Sequence, residues 1–297
     1  MGLTWMWSSR MMAITDAQHV LGEEVMVSRG TRKRSVLPQP RIEGHWEPIP
    51  ELTDEFDGNR LDASKWLNPD PGWKGRPPAP FAKHNVAVKG GRLHLTARAE
   101  DLSGLPPEYH TFTTASVLST ARVKYGYFEI KARPMRSSAS SAFWFYYGDA
   151  EAWTEIDVFE ISAGSPGRER TVHLNAHVMR SPKVKKHLEF SARWEAPFSL
   201  AGGFHVYAVD WDAKRIKWFV DGEVVHEVSN RHWHYPLNMA FDSETFPDWF
   251  GLPDPKELPA TFSIDYVRAW RRIDATGGRR TMRRRDSTTG PLTRRKK

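Results

Sequence analysis

Trp153-Thr154-Glu155-Ile156-Asp157-Val158-Phe159-Glu160-Ile161 places three carboxylates in six residues of an otherwise apolar, β-branched run. Successive side chains of a strand point to opposite faces, so Glu155 and Asp157 share one face and Glu160, five positions from Glu155, falls on the other. One extra residue restores the match. A β-bulge at Val158 or Phe159 would return Glu160 to the face of the other two acids and turn Val158 or Phe159 toward a core. The three acids would then follow one another at about 7 Å per pair of residues along the backbone, close enough for long Glu side chains to lean together over the Asp.

Outward from this run, alternation remains the dominant pattern. Phe128, Ile130 and Ala132 point one way, and Tyr127, Glu129, Lys131 and Arg133 the other. Arg215 to Val220, Asp221-Gly222 and Glu223 to Val228 read as a hairpin, because Asp-Gly tolerates the positive φ of a tight turn. Further strands are expected at Gly91–Arg98, Ala115–Ser119, Ser141–Tyr147, Glu155–Ile161, Thr171–Val178, His205–Trp211, Leu237–Asp242 and Thr261–Trp270. With no long helical repeat and no internal repeat, the fold class is all-β, a sandwich of antiparallel sheets. The globular unit runs over residues 46–271.

Residues 1–45 lack sustained periodicity and read as a mobile leader. They contain no clear secretory signal: no run of roughly 7–15 apolar residues follows the first basic residue, and Asp16, Glu23 and Glu24 interrupt the candidate region. Residues 272–297 read as a disordered basic tail. From Arg271 to Lys297 there are nine Arg and two Lys against Asp274 and Asp286, a local charge of +9. The whole chain carries +7, so the remainder carries −2 and the basic balance describes the tail rather than the domain. Such a tail binds polyanions non-specifically if it binds them at all, and no specific nucleic-acid partner is expected. The chain has no Cys, which excludes disulfides, thiolate metal sites and a cysteine nucleophile. No stretch approaches the roughly 20 apolar residues of a membrane-spanning helix, and mean hydropathy is −0.59. Thirteen Trp is unusual and suits flat, half-exposed stacking surfaces as well as a core.

Two carboxyl groups about 5–5.5 Å apart, one ionised and one protonated, are what retaining glycoside hydrolysis requires. Charge on the first raises the pKa of the second. The competing readings of E-x-D-x-x-E are a solvent-facing acidic edge and a calcium-binding face. Trp144, Tyr146, Tyr147 and Trp153 around the acids supply platforms for sugar rings and favour the glycosidase reading.

With the acids go Asp54-Glu55-Phe56-Asp57-Gly58, Leu61-Asp62-Ala63-Ser64-Lys65-Trp66, Tyr125-Gly126-Tyr127-Phe128-Glu129, Ser141-Ala142-Phe143-Trp144, Asp242-Ser243-Glu244 and Ile264-Asp265-Tyr266-Val267-Arg268. In this order they resemble glycoside hydrolase family 16, in its β-agarase, β-porphyranase and κ-carrageenase branch. The resemblance implies a concanavalin-like jelly roll of two curved antiparallel sheets with an open cleft. It also implies an endo-acting, retaining enzyme on β-1,4 galactosidic linkages of agarose or porphyran, with Glu155 as nucleophile, Glu160 as general acid/base and Asp157 tuning the pair. The same resemblance leaves κ-carrageenan, furcellaran and laminarin open as substrates, and a non-catalytic polysaccharide-binding sandwich is the reading from another class.

Trp73 and Arg76 fall in the Pro/Gly-rich loop where the family carries a cleft wall, Arg76 being suited to sugar hydroxyls or a sulfate ester. Trp144, Trp153, His177 and Glu244 complete the substrate-binding set that the resemblance implies. His173 and His177, four apart on a strand, stand about 13 Å apart at the backbone, too far for one zinc. No cofactor is expected for catalysis, whereas the family's structural calcium would use Asp265 and a carbonyl near Gly91. The chain is expected to act as a monomer, at an extracellular or cell-surface location set by the size of the polymer.

Overall fold

The structure is a computed structural model, and it describes residues 37–149, 151–184 and 186–273. The leader up to residue 36 and the tail from residue 274 lie outside the described residues. Seventeen strands follow one another: β1 (His45–Pro48), β2 (Trp66–Leu67), β3 (Val86–Lys89), β4 (Arg92–Ala99), β5 (Phe112–Thr113), β6 (Ala115–Val123), β7 (Gly126–Arg133), β8 (Ser141–Gly148) and β9 (Trp153–Ile161), then β10 (Thr171–Arg180), β11 (Leu188–Glu189), β12 (Ala192–Glu195), β13 (His205–Trp211), β14 (Arg215–Val220), β15 (Glu223–Ser229), β16 (Leu237–Ser243) and β17 (Ala260–Ile273). The only helices among the described residues are four single 3₁₀ turns, and none is long and apolar enough to cross a membrane.

The strands form two antiparallel sheets. One runs β15-β14-β13-β7-β17-β4-β3, with β1 on β17 and β5 on β4. The other, which holds the three acids, runs β11-β10-β9-β8-β16-β6-β2, with β12 on β10. All eleven expected strands are present, and the hairpin turn has Asp221 at φ 49° and Gly222 at φ 88°, as a tight two-residue connection between right-twisted strands requires. The six additional strands, β1, β2, β3, β5, β11 and β12, have two to four residues each and show no alternation long enough to read.

Apolar residues of the two inner faces meet in one core that includes Phe128, Ile130, Phe143, Phe145, Ile156, Trp218, Phe241 and Phe262. The outer face of β7 is more buried than its alternation implies. Tyr127 packs with Trp46, Phe219 and Trp270 in a second small cluster, because β1 folds back along β17 and brings Trp46 over that face.

The bulge lies in the middle of β9. Against β8, Phe143 pairs with Phe159 and the next pair is Trp144 with Asp157, so Val158 has no partner. The same offset appears against β10, where His173 pairs with Glu160 and Asn175 with Asp157. Val158 and Phe159 are consecutive yet both buried in the core, as one inserted residue dictates.

A bulge disrupts the ladder locally, and buried carbonyls still need donors. Two tryptophans provide them. Trp218, fully buried on β14 of the opposite sheet, donates its indole N–H to the Asp157 carbonyl at 2.8 Å across the core. Trp233, buried in the β15–β16 connection, donates to the carbonyls of Glu155 at 2.8 Å and His177 at 3.0 Å. The backbone that presents the acids is thereby tied to the other side of the sandwich. Trp218→Phe keeps most of the buried ring but removes the donor, and an orphaned carbonyl costs about 1–3 kcal/mol. Urea unfolding should show a loss of that size with an unchanged m-value, and a loss under a few tenths of a kcal/mol would mean the bond contributes nothing.

Candidate active site

The register around the bulge organises one face of the acid-bearing sheet into three rungs. His177, Glu155, Tyr146 and Asn238 face one another across β10, β9, β8 and β16. Asn175, Asp157, Trp144 and Ala240 form the next rung, and His173, Glu160, Ala142 and Asp242 the third. Directly opposed residues of paired strands share a face. Glu155, Asp157 and Glu160 therefore stand side by side on one surface, and without the unpaired Val158 the third rung would carry Phe159 in place of Glu160.

All three acids line a cleft of about 700 Å³. Its other lining residues include Asp70, Trp73, Arg76, Arg122, Trp144, Tyr146, Trp153, Arg180 and Glu244. Five of the six expected substrate-binding residues are thus brought to the acids. The sixth, His177, is on the rung of Glu155 but outside the cleft lining, with its Nε2 3.2 Å from Asp157 Oδ2 and its Nδ1 2.8 Å from His187 Nε2.

The aromatic side chains form a fixed wall. Trp144 and Tyr146, two apart on β8, stack at 4.5 Å and 19°. Trp144 donates its indole N–H to Asp242 Oδ2 at 2.8 Å, and the Tyr146 hydroxyl donates to Asp70 Oδ2. Trp73 meets Phe81 edge-on at 5.0 Å and Trp144 edge-on at 6.2 Å, so its loop position is braced from two sides. Trp153 stands at the end of β9 with 39% of its surface exposed, and the Arg180 guanidinium lies 5.7 Å from its ring.

Arg76 and Glu244 meet each other. Arg76 Nε donates to Glu244 Oε2 at 2.9 Å, its guanidinium lies 4.3 Å from the Phe246 ring, and Thr245 Oγ1 donates to its carbonyl. Glu244 is buried under this contact, its amide held by Ser140 Oγ at 2.9 Å. The pair is 168 residues apart in the chain, which is why the sequence offered each residue separately. His173 lies two rungs from His177 and turns toward Arg168 Nη1 at 3.1 Å and the Trp249 ring. Asp70, Arg122, Tyr146 and Arg180 also line the cleft, and Asp242 is buried next to it under the bond from Trp144. The spacing of two from Trp144 was a signal for Tyr146, but only the register of β16, β8 and β9 brings Asp242 to the rung of Glu160.

So many carboxyls in one cleft do not all ionise. Burial, then repulsion from Asp157, drives Glu155 well above the usual carboxylate range. Burial and the neighbouring Glu160 charge do the same to Asp157. Glu160 is pushed up to about 7 by burial, with His177 and Arg76 pulling the other way. Asp242 is raised to about 8 by burial, despite the bond from Trp144. The cluster therefore retains protons near neutral pH while its electrostatics favour spreading the remaining negative charge. That is the condition for an acid and an ionised carboxylate to coexist within one site.

The calcium expected at Asp265 and Gly91 does not fit this structure. Asp265 Oδ1 accepts from Arg92 Nε at 3.2 Å and Oδ2 from Lys131 Nζ at 2.9 Å, so two side-chain cations already neutralise both oxygens. A Ca²⁺ ion there would meet positive charge instead of spare oxygen ligands. Gly91 serves the β3–β4 turn, where Gly90 and Gly91 both have positive φ.

Comparison with known proteins agrees with this geometry. Residues 46–272 match the family model described as the glycoside hydrolase family 16 domain of β-porphyranases A–D. Glucan endo-1,3-β-glucosidase A1 of Niallia circulans is 28% identical over 73% of this chain, and β-porphyranase D of Zobellia galactanivorans is 28% identical over 80% of it. The chain spans 37% and 63% of the lengths of these two relatives. A crystal structure of a β-porphyranase from the human gut bacterium Bacteroides plebeius superimposes with a TM-score of 0.69 at 26% identity, covering 80% of this chain and 95% of that one. The chain belongs to glycoside hydrolase family 16, its residues 46–272 forming a glycosidase domain of the β-porphyranase A–D group.

Proposed function

We propose that this protein is an endo-acting, retaining hydrolase of β-1,4 galactosidic linkages in agar-type red-algal galactans, with sulfated porphyran preferred over agarose. The observation that carries the reading is the alignment of Glu155, Asp157 and Glu160 on consecutive rungs of an open, aromatic-walled cleft. Glu155, in its ionised form, attacks the anomeric carbon and forms a glycosyl–enzyme bond while Glu160 gives its proton to the departing glycosidic oxygen. Glycosylation removes the charge from Glu155. Glu160 then ionises more readily, takes a proton from water and directs the resulting hydroxyl to the anomeric carbon, which releases the sugar and restores both acids.

Asp157 lies between them. His177 Nε2 stands 3.2 Å from its Oδ2, and its neighbour on the same face is Glu155. In this reading Asp157 orients the nucleophile, and His177 orients Asp157 rather than binding a sugar hydroxyl directly. Trp73, Trp144, Tyr146 and Trp153 offer ring faces and edges along the cleft, on which pyranose rings stack.

Charge supports a sulfated polymer. Arg76, Arg122 and Arg180 all line the cleft. Arg76 is braced through Nε by Glu244, and no hydrogen bond to a described residue occupies its Nη nitrogens, which form the end of the fork that matches a sulfate ester. Agarose, κ-carrageenan, furcellaran and laminarin are the competing substrates. A panel of these with porphyran and chemically desulfated porphyran, read by reducing ends and product length, should give the highest kcat/KM on porphyran and a several-fold fall on desulfation. Equal rates with and without sulfate would remove the argument from the arginines. An extracellular or cell-surface site of action follows from the size of such a polymer.

Glu155→Gln should lose about 10⁴-fold or more in kcat and Glu160→Gln about 10²–10⁴-fold. Proton NMR of the first product formed should show the β anomer, whereas initial α anomer would contradict retention. Since Glu160 must be protonated to assist departure, kcat/KM should fall as pH rises through about 7. The same proton affects stability. A carboxyl raised in the folded state stabilises the protein below its unfolded pKa, and this contribution disappears as pH rises through about 7. Glu160→Gln should therefore leave the melting temperature near pH 4 unchanged and raise it at pH 8 by about 2–4 °C, allowing roughly 1 kcal/mol for a partly solvated group.

A further inference from the structure

The rung that carries Glu155 continues past His177 to the edge of the sheet. His177 on β10 is directly opposed to Glu189 on β11, and His187 precedes that strand by one residue. One ligand atom from each of His177, His187 and Glu189 lies within 4.8 Å of the others. His177 Nδ1 and His187 Nε2 are 2.8 Å apart. We propose that these three residues bind a divalent transition-metal ion of the Zn²⁺ type on the cleft side of the sheet, beside the catalytic acids.

Three features support a ligand set rather than a chance cluster. The donors are two imidazoles and a carboxylate, a combination that zinc accepts with a water in the fourth position. The other nitrogen of His177, Nε2, stands 3.2 Å from the buried Asp157 Oδ2, so Nδ1 is the nitrogen that faces His187 and Glu189. Third, His187 and Glu189 are solvent-exposed, so an ion can enter, and no ion pair engages Glu189 among the described residues. Asp265 provides the contrast, since Arg92 and Lys131 neutralise its carboxylate.

Without an ion, His177 Nδ1 and His187 Nε2 share one hydrogen bond. Metal binding replaces this hydrogen bond with two metal–nitrogen bonds. The proton held between the two nitrogens passes by way of water to a ring nitrogen that does not face the ion, and Glu189 contributes a carboxylate oxygen. Glu155, Asp157 and His177 form a second close group, also within 4.8 Å. The outer set is favoured because His187 and Glu189 are open to solvent, whereas Asp157 in the inner set is buried. An ion at the outer set shares a face with the extended polymer that the proposed function places in the cleft, so the two compete. The competition rests on that proposed function, whereas the metal site itself does not.

Titration of the full chain with ZnCl₂ in a calorimeter, without polysaccharide, should show one ion bound per chain through His177, His187 and Glu189. His187→Ala and Glu189→Gln should each weaken that affinity at least tenfold while leaving zinc-free turnover unchanged. X-ray absorption should report two imidazole nitrogens at about 2.0–2.1 Å. With porphyran as substrate, saturating zinc should raise KM several-fold in the native chain and not in His187→Ala. No uptake, or uptake undiminished in both variants, would overturn the site even if the chain hydrolyses another polymer. Uptake with an unchanged KM on a substrate that is hydrolysed would overturn the competition.

Discussion

A single unpaired residue, Val158, determines what this sheet can do. A regular strand would place Glu160 among the phenylalanines of the core and Phe159 in the cleft, an arrangement both insoluble energetically and chemically idle. The bulge reverses the two, burying Val158 with Phe159 and returning Glu160 to the face of Glu155 and Asp157. It also leaves a carbonyl that needs a donor from across the core, so Trp218 belongs to the site although it never faces the cleft. Chemistry on one surface is held in place by hydrogen bonds made through the interior.

The electrostatics of the cleft oppose the stability of the fold. Five carboxyl groups, Glu155, Asp157, Glu160, Asp242 and Glu244, are raised by burial, and most also by one another. Arg76 braces Glu244 and His177 approaches Asp157, which moderates the repulsion without neutralising the acids that a glycosidase must use. Natural proteins commonly accept such local conflicts at working sites and compensate elsewhere. Here the compensation lies in the continuous aromatic core between two large sheets.

Legibility in the sequence followed length and locality. Strands of six or more residues, such as β7, β9 and β13, declared themselves by alternation, and Asp221-Gly222 declared its turn. Two-residue strands such as β2, β5 and β11 have no period to read and exist only because a neighbour offers a ladder. The bulge was readable because three acids demanded one face. Its support was not, since Trp218 lies 61 residues from Asp157 and any buried Trp reads simply as core. Arg76 and Glu244 were each recognised as cleft residues, but their mutual contact is tertiary. Asp265 was misread as a calcium ligand because Arg92 and Lys131, on β4 and β7, reach it only through the sheet. His187 and Glu189 carried no sequence signal at all until β11 paired with β10.

The register of β8 against β9 is open to direct observation. Isotope-filtered NMR of labelled protein should show cross-strand backbone contacts joining Trp144 to Asp157 and Phe143 to Phe159, with Val158 lacking any partner on β8. A continuous register that joins Phe143 to Val158 and Ala142 to Phe159 would turn Glu160 away from its two neighbours and contradict the account.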